Sequence, residues 1–424
     1  MRDLMRHRDF RLLMIGQTLS MFGDTAMLLV LGMWGKQITG SNGVAGSIFA
    51  AVALPSLIAP FGGVVIDRFR RRHVMIITDL VTAGAIGTLF FVHGRDQLWL
   101  IYVVAFVYGA SLIAFQSARS ALLHTMLPDA LLGSANGSLS TVREALRLVG
   151  PLTGAALFAG FGAGAVVTLD AATFLISAAS LAAMRLREPK PQPSEQHVLV
   201  EAAAGGRHLL GSPVLRATVI ATVITMLAIG ISESVYFAVV DQGLGRPVSW
   251  IGVLGSIQGV GAVIGGLGIT ALIGRTGELR PAAFGLGLIS VGALLATSHQ
   301  LFVVAFGTVL FGAGLPIIVV CVITTIQRRT PSELQGRAFT AFELLAGGPQ
   351  LLSILAGAIL VTLVDYRMLL VAMAAGLGLA AVYAFFRLRE PADPSELAHP
   401  SALNDQVAIG LHPFEQPTVV SDQK

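Results

Sequence analysis

Runs of about twenty apolar residues, parted by short polar connections, fill the chain from near residue 11 to residue 387. A helix needs ~20 such residues to cross the hydrocarbon core of a bilayer. Inside lipid an unpaired backbone N–H or C=O finds no water, so segments of this kind are stable there as helices. Composition agrees, with 54% hydrophobic and 12% charged residues among 424, where a soluble domain carries about 25% charged. Twelve spans are expected. In the first half they fall near 11–35, 43–66, 74–93, 98–122, 135–160 and 165–185. In the second they fall near 214–240, 249–273, 281–298, 301–327, 338–363 and 368–387.

The basic residues test that count. One set of connections holds Arg2, Arg6, Arg8 and Arg11, then Arg68, Arg70, Arg71 and Arg72, then Arg185, Arg187, Lys190 and Arg207. It continues with Arg275 and Arg280, with Arg328, Arg329 and Arg337, and with Arg387 and Arg389. The alternate connections carry only Lys36, Arg95, Arg246 and Arg367. This asymmetry places both termini in the cytoplasm and the protein in the inner, or plasma, membrane. It also accounts for the net charge of +4 without nucleic acid, since the arginines are scattered between apolar runs. The apolar stretch after Met1–Arg11 is too long for a signal-peptide core and is read as the first span, retained in the protein.

The two sets of spans are copies of one unit. The pentapeptide R-L-R-E-P occurs at Arg185–Pro189 and again at Arg387–Pro391. Gly109 stands nineteen residues before Pro128, and Gly312 nineteen before Pro331. Each proline opens P-x-x-L-x-G-x-A, as Pro128-Leu131-Gly133-Ala135 and Pro331-Leu334-Gly336-Ala338, and the copies lie 203 and 202 residues apart. Repeats in one register mark a duplication. The expected fold is therefore all-α, with twelve transmembrane helices in two pseudo-symmetric six-helix bundles over 1–187 and 214–390. A cytoplasmic linker spans 188–213, and 391–424 is expected to be a disordered tail because it is polar and proline-punctuated. A duplicated membrane body of this kind is most often a transporter, with its substrate site between the halves.

The loop after the second span carries G-x-x-x-D-R-x-x-R-R at Gly63, Asp67, Arg68, Arg71 and Arg72. It resembles the signature loop of the major facilitator superfamily, with Arg70 where that family usually has glycine. Gly150, Pro151 and Gly154 resemble part of the antiporter motif of exporting members, while the family's arginine in the fourth span is missing from Leu98–Ala118. Gly23-Asp24, the A-R-S-A-L run from Ala118 and the segment Gln327–Phe339 are similar to the branch of macrolide-efflux and enterobactin-exporter proteins. The resemblance implies secondary active export. The loop itself suggests a conformational latch, with the Asp67 carboxylate at the positive N-terminal end of the eleventh span. Arg68, Arg71 and Arg72 would bind that carboxylate or lipid phosphates, or would only orient the helices.

Charges within apolar runs narrow the chemistry, because each costs about 2.5–3.5 kcal/mol on insertion scales and needs a partner or a wet cavity. Asp24 and Glu233 lie midway along the first and seventh spans, which are counterparts, so both are expected to face a shared central space. There they would take up and release protons, unless each is bonded to a neighbouring helix. Arg143, Glu144 and Arg147 share a stretch of the fifth span, with Glu144 and Arg147 paired at i and i+3. They would bind an anionic substrate or balance the carboxylates, or else mark where that helix emerges into water. Gln17, Tyr108, Phe115, Tyr236 and Gln258 are candidates to line a cavity for a bulky, partly apolar ligand, or are packing residues. Glu343 is a weaker candidate near a span end, and Asp79 and Asp170 are expected near span ends, where they cap or pair locally. Pro316 and the glycines about Gly312 are expected to bend the tenth span.

No phosphate loop of the form G-x-x-x-x-G-K-[ST] and no H-E-x-x-H occurs, so neither ATP hydrolysis nor metalloenzyme chemistry is indicated. The one cysteine, Cys321, allows no intramolecular disulfide. The expected function is proton-coupled export of a drug-like or secondary-metabolite molecule, with no cofactor and no metal. The partners are protons, the bilayer and a small-molecule substrate, and the protein is read as a monomer. An importer of a small nutrient shares every topological feature. A non-transporting sensor would usually carry a folded soluble domain.

Overall fold

The first apolar run folds as one helix, α1 (Arg8–Thr39), and stops at Gly40, which takes a left-handed φ of 75°. The Gly40 N–H bonds the Lys36 carbonyl at 2.7 Å, the common way for a glycine to close a helix. Ser41 then caps α2 (Asn42–Ala53), its hydroxyl accepting from the Val44 N–H. The computed structural model describes residues 4–57, 69–186, 188, 198–276, 279–331 and 334–387. The first half continues with α3 (Arg71–Gly87), α4 (Leu98–Met126), α5 (Asp129–Phe161) and α6 (Ala163–Ala182). A shorter helix, α7 (Val198–Gly211), follows in the connection between halves. The second half holds α8 (Pro213–Ala238), α9 (Trp250–Thr276), α10 (Leu279–Leu295), α11 (Leu301–Arg329), α12 (Gln335–Leu363) and α13 (Tyr366–Arg387).

Each of the twelve expected spans overlaps one of these helices, and α7 is the thirteenth. Nine helical segments among the described residues are long and apolar enough to cross a membrane, while Asn42–Leu57 and Arg280–Leu295 are apolar but shorter. Helix α5, whose first half is polar and carries Arg143, Glu144 and Arg147, is not among the nine. Large side chains such as Phe302 (88% exposed), Leu267 and Phe161 (both 78%) stand on the outer surface, where a solvent-facing protein would leave large apolar patches uncovered. The polar end, 391–424, and the linker stretch 189–197 lie outside the described residues.

The duplication is visible in the packing. In the first half α1 lies on α5 and α6, α3 on α4 and α6, and α2 on α4. In the second, α8 lies on α12 and α13, α10 on α11 and α13, and α9 on α11, which is the same scheme helix for helix. The halves meet mainly where α5 packs on α9 and α12 on α2, a pair that exchanges under the same two-fold relation.

The repeated motifs do repeated work. Leu131 N–H bonds the Pro128 carbonyl at 2.9 Å and Leu334 N–H bonds the Pro331 carbonyl at 2.9 Å, so the same turn starts α5 and α12. Ala135 and Ala338, one turn on, are both fully buried. Gly109 presses on the Val52 carbonyl of α2, and Gly312 presses on the Gln258 carbonyl of α9; a Cβ at either glycine would collide with that carbonyl. Close backbone approach of this kind is what holds helices together in lipid, where no hydrophobic drive separates helix from solvent. The first R-L-R-E-P copy ties its bundle shut: Arg185 N–H donates to Asp9 Oδ1 at 3.1 Å and Glu188 Oε1 accepts from the Arg72 N–H at 2.8 Å.

Gly109→Ala and Gly312→Ala should each destabilise by about 1–3 kcal/mol, the cost of overpacking a fitted contact. Gly266→Ala, with no atom within 4 Å of the added carbon, should be neutral or better. Thermal unfolding in detergent reads both effects, and equal midpoints for all three variants would show that the crossings are not close.

Candidate functional site

Helix α1 carries Asp24 at its middle, and the Tyr108 hydroxyl of α4 donates to Asp24 Oδ1 at 2.5 Å. Tyr108 is itself fully buried, its ring edge-on to Phe174 of α6 at 5.9 Å and 85°. Around this pair lies a cavity of about 70 Å³, with Gln17, Asp24, Asp79, Tyr108, Phe115 and Arg119 among its walls. Three of the five side chains expected to line a cavity therefore gather with Asp24, but inside the first bundle rather than between the halves. The other two lie in the second half. Tyr236 donates to Thr308 Oγ1 at 3.2 Å, and Gln258 lies on α9 where its backbone meets Gly312.

Two expectations are corrected here. Asp79 and Asp170 are not local caps at span ends: they occupy the middles of α3 and α6 and are 0% exposed. Asp79 lies six residues into a span expected from 74, but α3 runs from Arg71 to Gly87 and has Asp79 at its middle. The fourth span does hold an arginine. Helix α4 runs to Met126, which puts Arg119 well inside it and 4% exposed. Its Nη2 donates to Gln116 Oε1 at 2.6 Å.

Glu233, partly buried on α8, stands where Arg147 of α5 reaches it electrostatically from the other half. Arg147 and Glu144 are loosely paired at 3.9 Å, with side chains 55% and 54% exposed, and Arg143 Nη2 donates to Ser140 Oγ at 3.2 Å. These charges are thus on the surface of α5 and not locked in dry contacts. Glu343 on α12 is exposed.

The Gly150-Pro151-Gly154 motif sits between neighbours on both sides. Its glycines lie against Thr25 and Ala26 of α1, and Pro151 faces Gly252 and Gly255 of α9. One turn earlier, Ser256 of α9 donates to the Leu148 carbonyl at 2.7 Å. In the signature loop, Gly63, Asp67 and Arg68 lie outside the described residues. Arg72 is bonded within its own half, donating to the Leu181 and Ala182 carbonyls at 2.8 and 2.6 Å. Those are terminal carbonyls of α6, which attract a cation. Arg71 Nη1 donates to the Phe69 carbonyl at 3.0 Å.

Besides the α5–α9 and α12–α2 packing, a set of contacts joins the halves toward one end of the molecule. Lys36, 9% exposed, pairs with Asp241 at 3.0 Å and donates to the Phe237 carbonyl at 3.4 Å. Gly43 and Gly46 of α2 press on Ala358 and Ser234, and Phe49 meets Phe237 at 6.1 Å. All of these lie near the end marked by Thr39, Asn42 and Ala238, opposite the arginine-rich connections. The sequence pattern missed this pair, counting Lys36 only as a topology charge. Its signal was a lysine within an apolar run, which demands a partner.

Two like bundles of membrane helices, packed on one another and carrying charges within their apolar runs, are the body of a secondary transporter. The chain belongs to the Major Facilitator Superfamily, whose pattern matches residues 13–348 and again 218–418. It is 25% identical over 361 residues to BacE of Bacillus subtilis, named for bacilysin export, covering 83% of this chain and 88% of that one. It is 22% identical over 174 residues to macrolide efflux protein A of Streptococcus pyogenes, covering 40% and 43%. In fold it matches a bacterial homologue of the iron transporter ferroportin in its inward-facing state, with TM-score 0.69, 19% identity and coverage of 90% and 98%. The outward-facing state of a bacterial ferroportin homologue gives 0.60 at 18% identity over 89% and 98% of the two chains. These are transporters, and the protein is not an enzyme.

Reversing neither charge but removing one should loosen the joined end. A partly exposed pair contributes about 0.2–1 kcal/mol, so Asp241→Asn should raise the population separated at that end roughly 1.5- to 5-fold. Spin-label distances between the Thr39 and Gly243 positions measure this, and an unchanged distribution would rule out a holding role for the pair.

Proposed function

We propose that the protein is a proton-coupled antiporter that exports a bulky, drug-like or secondary-metabolite molecule by alternating access. The observation that carries this reading is the placement of Asp24 at the wall of a polar cavity in α1, bonded to Tyr108. Its counterpart helix α8 presents Glu233 toward Arg147 of the opposite half. A carboxylate at mid-membrane is costly when charged and cheaper when neutral, so proton binding changes which conformation is favoured. A proton or substrate shifts that balance only through unequal affinity for the two states.

By the positive-inside rule the arginine-rich end is cytoplasmic, which puts the Lys36 contacts at the outer end. Substrate would enter between the halves, near Arg147 and Glu233, and leave once the Lys36 contacts part and the opposite end closes. The direction, outward, follows the efflux names of BacE and macrolide efflux protein A. At the cytoplasmic end the loop residues Gly63, Asp67 and Arg68 would latch the closed form. Asp67→Asn is then expected to impair transport while membrane insertion stays normal, as fractionation and transport assays together would show.

Everted vesicles carrying the full chain, energised with a proton gradient, test the main reading. A panel of macrolides, siderophores and peptide antibiotics is added, and loss of the gradient is followed by a pH-sensitive dye. Wild type should discharge the gradient with at least one compound. Asp24→Asn and Glu233→Gln should each cut that coupled flux at least about tenfold, the effect of ~1.4 kcal/mol. Equal fluxes in both variants would sink proton coupling through these carboxylates, and accumulation of the compound inside cells expressing the protein would reverse the direction.

A further inference from the structure

The interior of the first bundle holds more acid than the transport reading uses. Both oxygens of Asp79 and one of Asp170 are buried with no partner at hydrogen-bond geometry, the Ser177 hydroxyl of α6 being close enough to Asp79 for only a weak interaction. Asp170 Oδ1 has only a long contact from the Thr173 hydroxyl, at 3.5 Å. That same oxygen rests on Gly23, where any Cβ would collide with it. Asp24 is the next residue, so α1 delivers a bare patch of backbone and a carboxylate to one place. Asp79 opens on the cavity that also holds Asp24, and Gln17 Oε1 is buried on its wall without a partner.

Positive charge does not balance this group. Arg119 lines the cavity, yet its guanidinium is engaged by Gln116 and its Nε has no partner. No ion pair among the described residues joins it to Asp24, Asp79 or Asp170, and the charge that next reaches it is Arg143 of α5. Tyr108 already donates its one proton to Asp24. A buried, unpaired carboxylate costs several kcal/mol and in practice takes up a proton instead. Like charges gathered in one site add to that cost. No group of three His, Cys, Asp or Glu among the described residues is arranged to hold a metal ion. The cavity, about 70 Å³, exceeds the ~15 Å³ a water needs, so a proton can be exchanged through it.

We propose that Asp79 and Asp170, gathered about Asp24, form a proton-binding site inside the first bundle, separate from the cleft between the halves. Each proton adds to one carboxylate oxygen as an O–H bond and leaves as hydronium, from Asp79 directly into the cavity it lines and from Asp170 by way of Asp24, with no other reactant. This deepens the coupling reading by giving the protons a store beside Asp24, and it is measured without any substrate. Its failure therefore leaves coupled export standing, and failed export leaves it standing.

Infrared difference spectra of the full-length protein in nanodiscs are titrated with acid, following the carbonyl stretch of protonated carboxyl groups. At neutral pH wild type should show that band, and it should shift on transfer to heavy water because the cavity has room for water. Asp79→Asn and Asp170→Asn should each remove a distinct component. A merely structural role would lower the melting temperature of these variants and leave the band whole, which would overturn the proposal. So would absence of the band in wild type, a result no misfolded variant can cause. A band that disappears when sodium replaces potassium would assign the site to a metal cation and overturn it too.

Discussion

The cost of carrying charge into hydrocarbon orders this molecule more than any other constraint. Each ionisable side chain in an apolar run must find a partner, a proton or water, and the described residues differ in which of these is within reach. Lys36 takes a partner, Asp241, and in doing so joins the two halves. Arg143, Glu144 and Arg147 stay on the exposed face of α5, where solvent between the halves can serve them. Asp79 and Asp170 do neither, which is why the first bundle has a polar interior while the matching region of the second is closed by neutral contacts such as Tyr236 to Thr308. The duplication thus supplied a common scaffold, and charge made the halves unlike.

The scaffold itself depends on backbone meeting backbone. Gly109 and Gly312 hold α4 on α2 and α11 on α9 by the same contact in each half. Those four helices are fixed within their bundles, whereas the seam between bundles runs through α5 on α9 and α12 on α2. Where α5 meets α9, Ser256 donates one hydrogen bond to the Leu148 carbonyl, and Pro151 lies against Gly252 and Gly255. A seam of small residues with few directional bonds can slide or part at modest cost, which two rigid bodies exchanging access require.

Much of this was legible in the sequence because helices in lipid obey one-dimensional rules. Span positions follow from apolar length, and the turn at Pro128 recurs at Pro331 because the residues recur. What escaped was apposition. Asp79 and Asp170 were judged by distance from the drawn ends of their spans, but the helices begin elsewhere and what matters is which face of the bundle each side chain enters. Arg119 lies one residue beyond the arginine-free stretch Leu98–Ala118, yet α4 continues to Met126 and holds it inside. Lys36 and Asp241 are 205 residues apart, and nothing local to either announces the other. A duplicated membrane body implies a cavity between its halves, while the geometry also shows one within a single bundle.

That inner cavity changes what Asp24 can be. A carboxylate facing only the cleft between halves would exchange its proton with whichever side is open and would compete directly with substrate for the same space. Asp24 instead sits on the boundary, bonded to Tyr108 on the bundle side and only partly buried on α1. Protons held by Asp79 and Asp170 would let its occupancy follow the interior of the bundle rather than the contents of the cleft. Substrate of any charge could then be expelled without having to touch the coupling group, because the two ligands would communicate through the tilt of α1 against α5. The glycines at 150 and 154, which set α5 directly on Thr25 and Ala26 beside Asp24, are where that communication would have to pass.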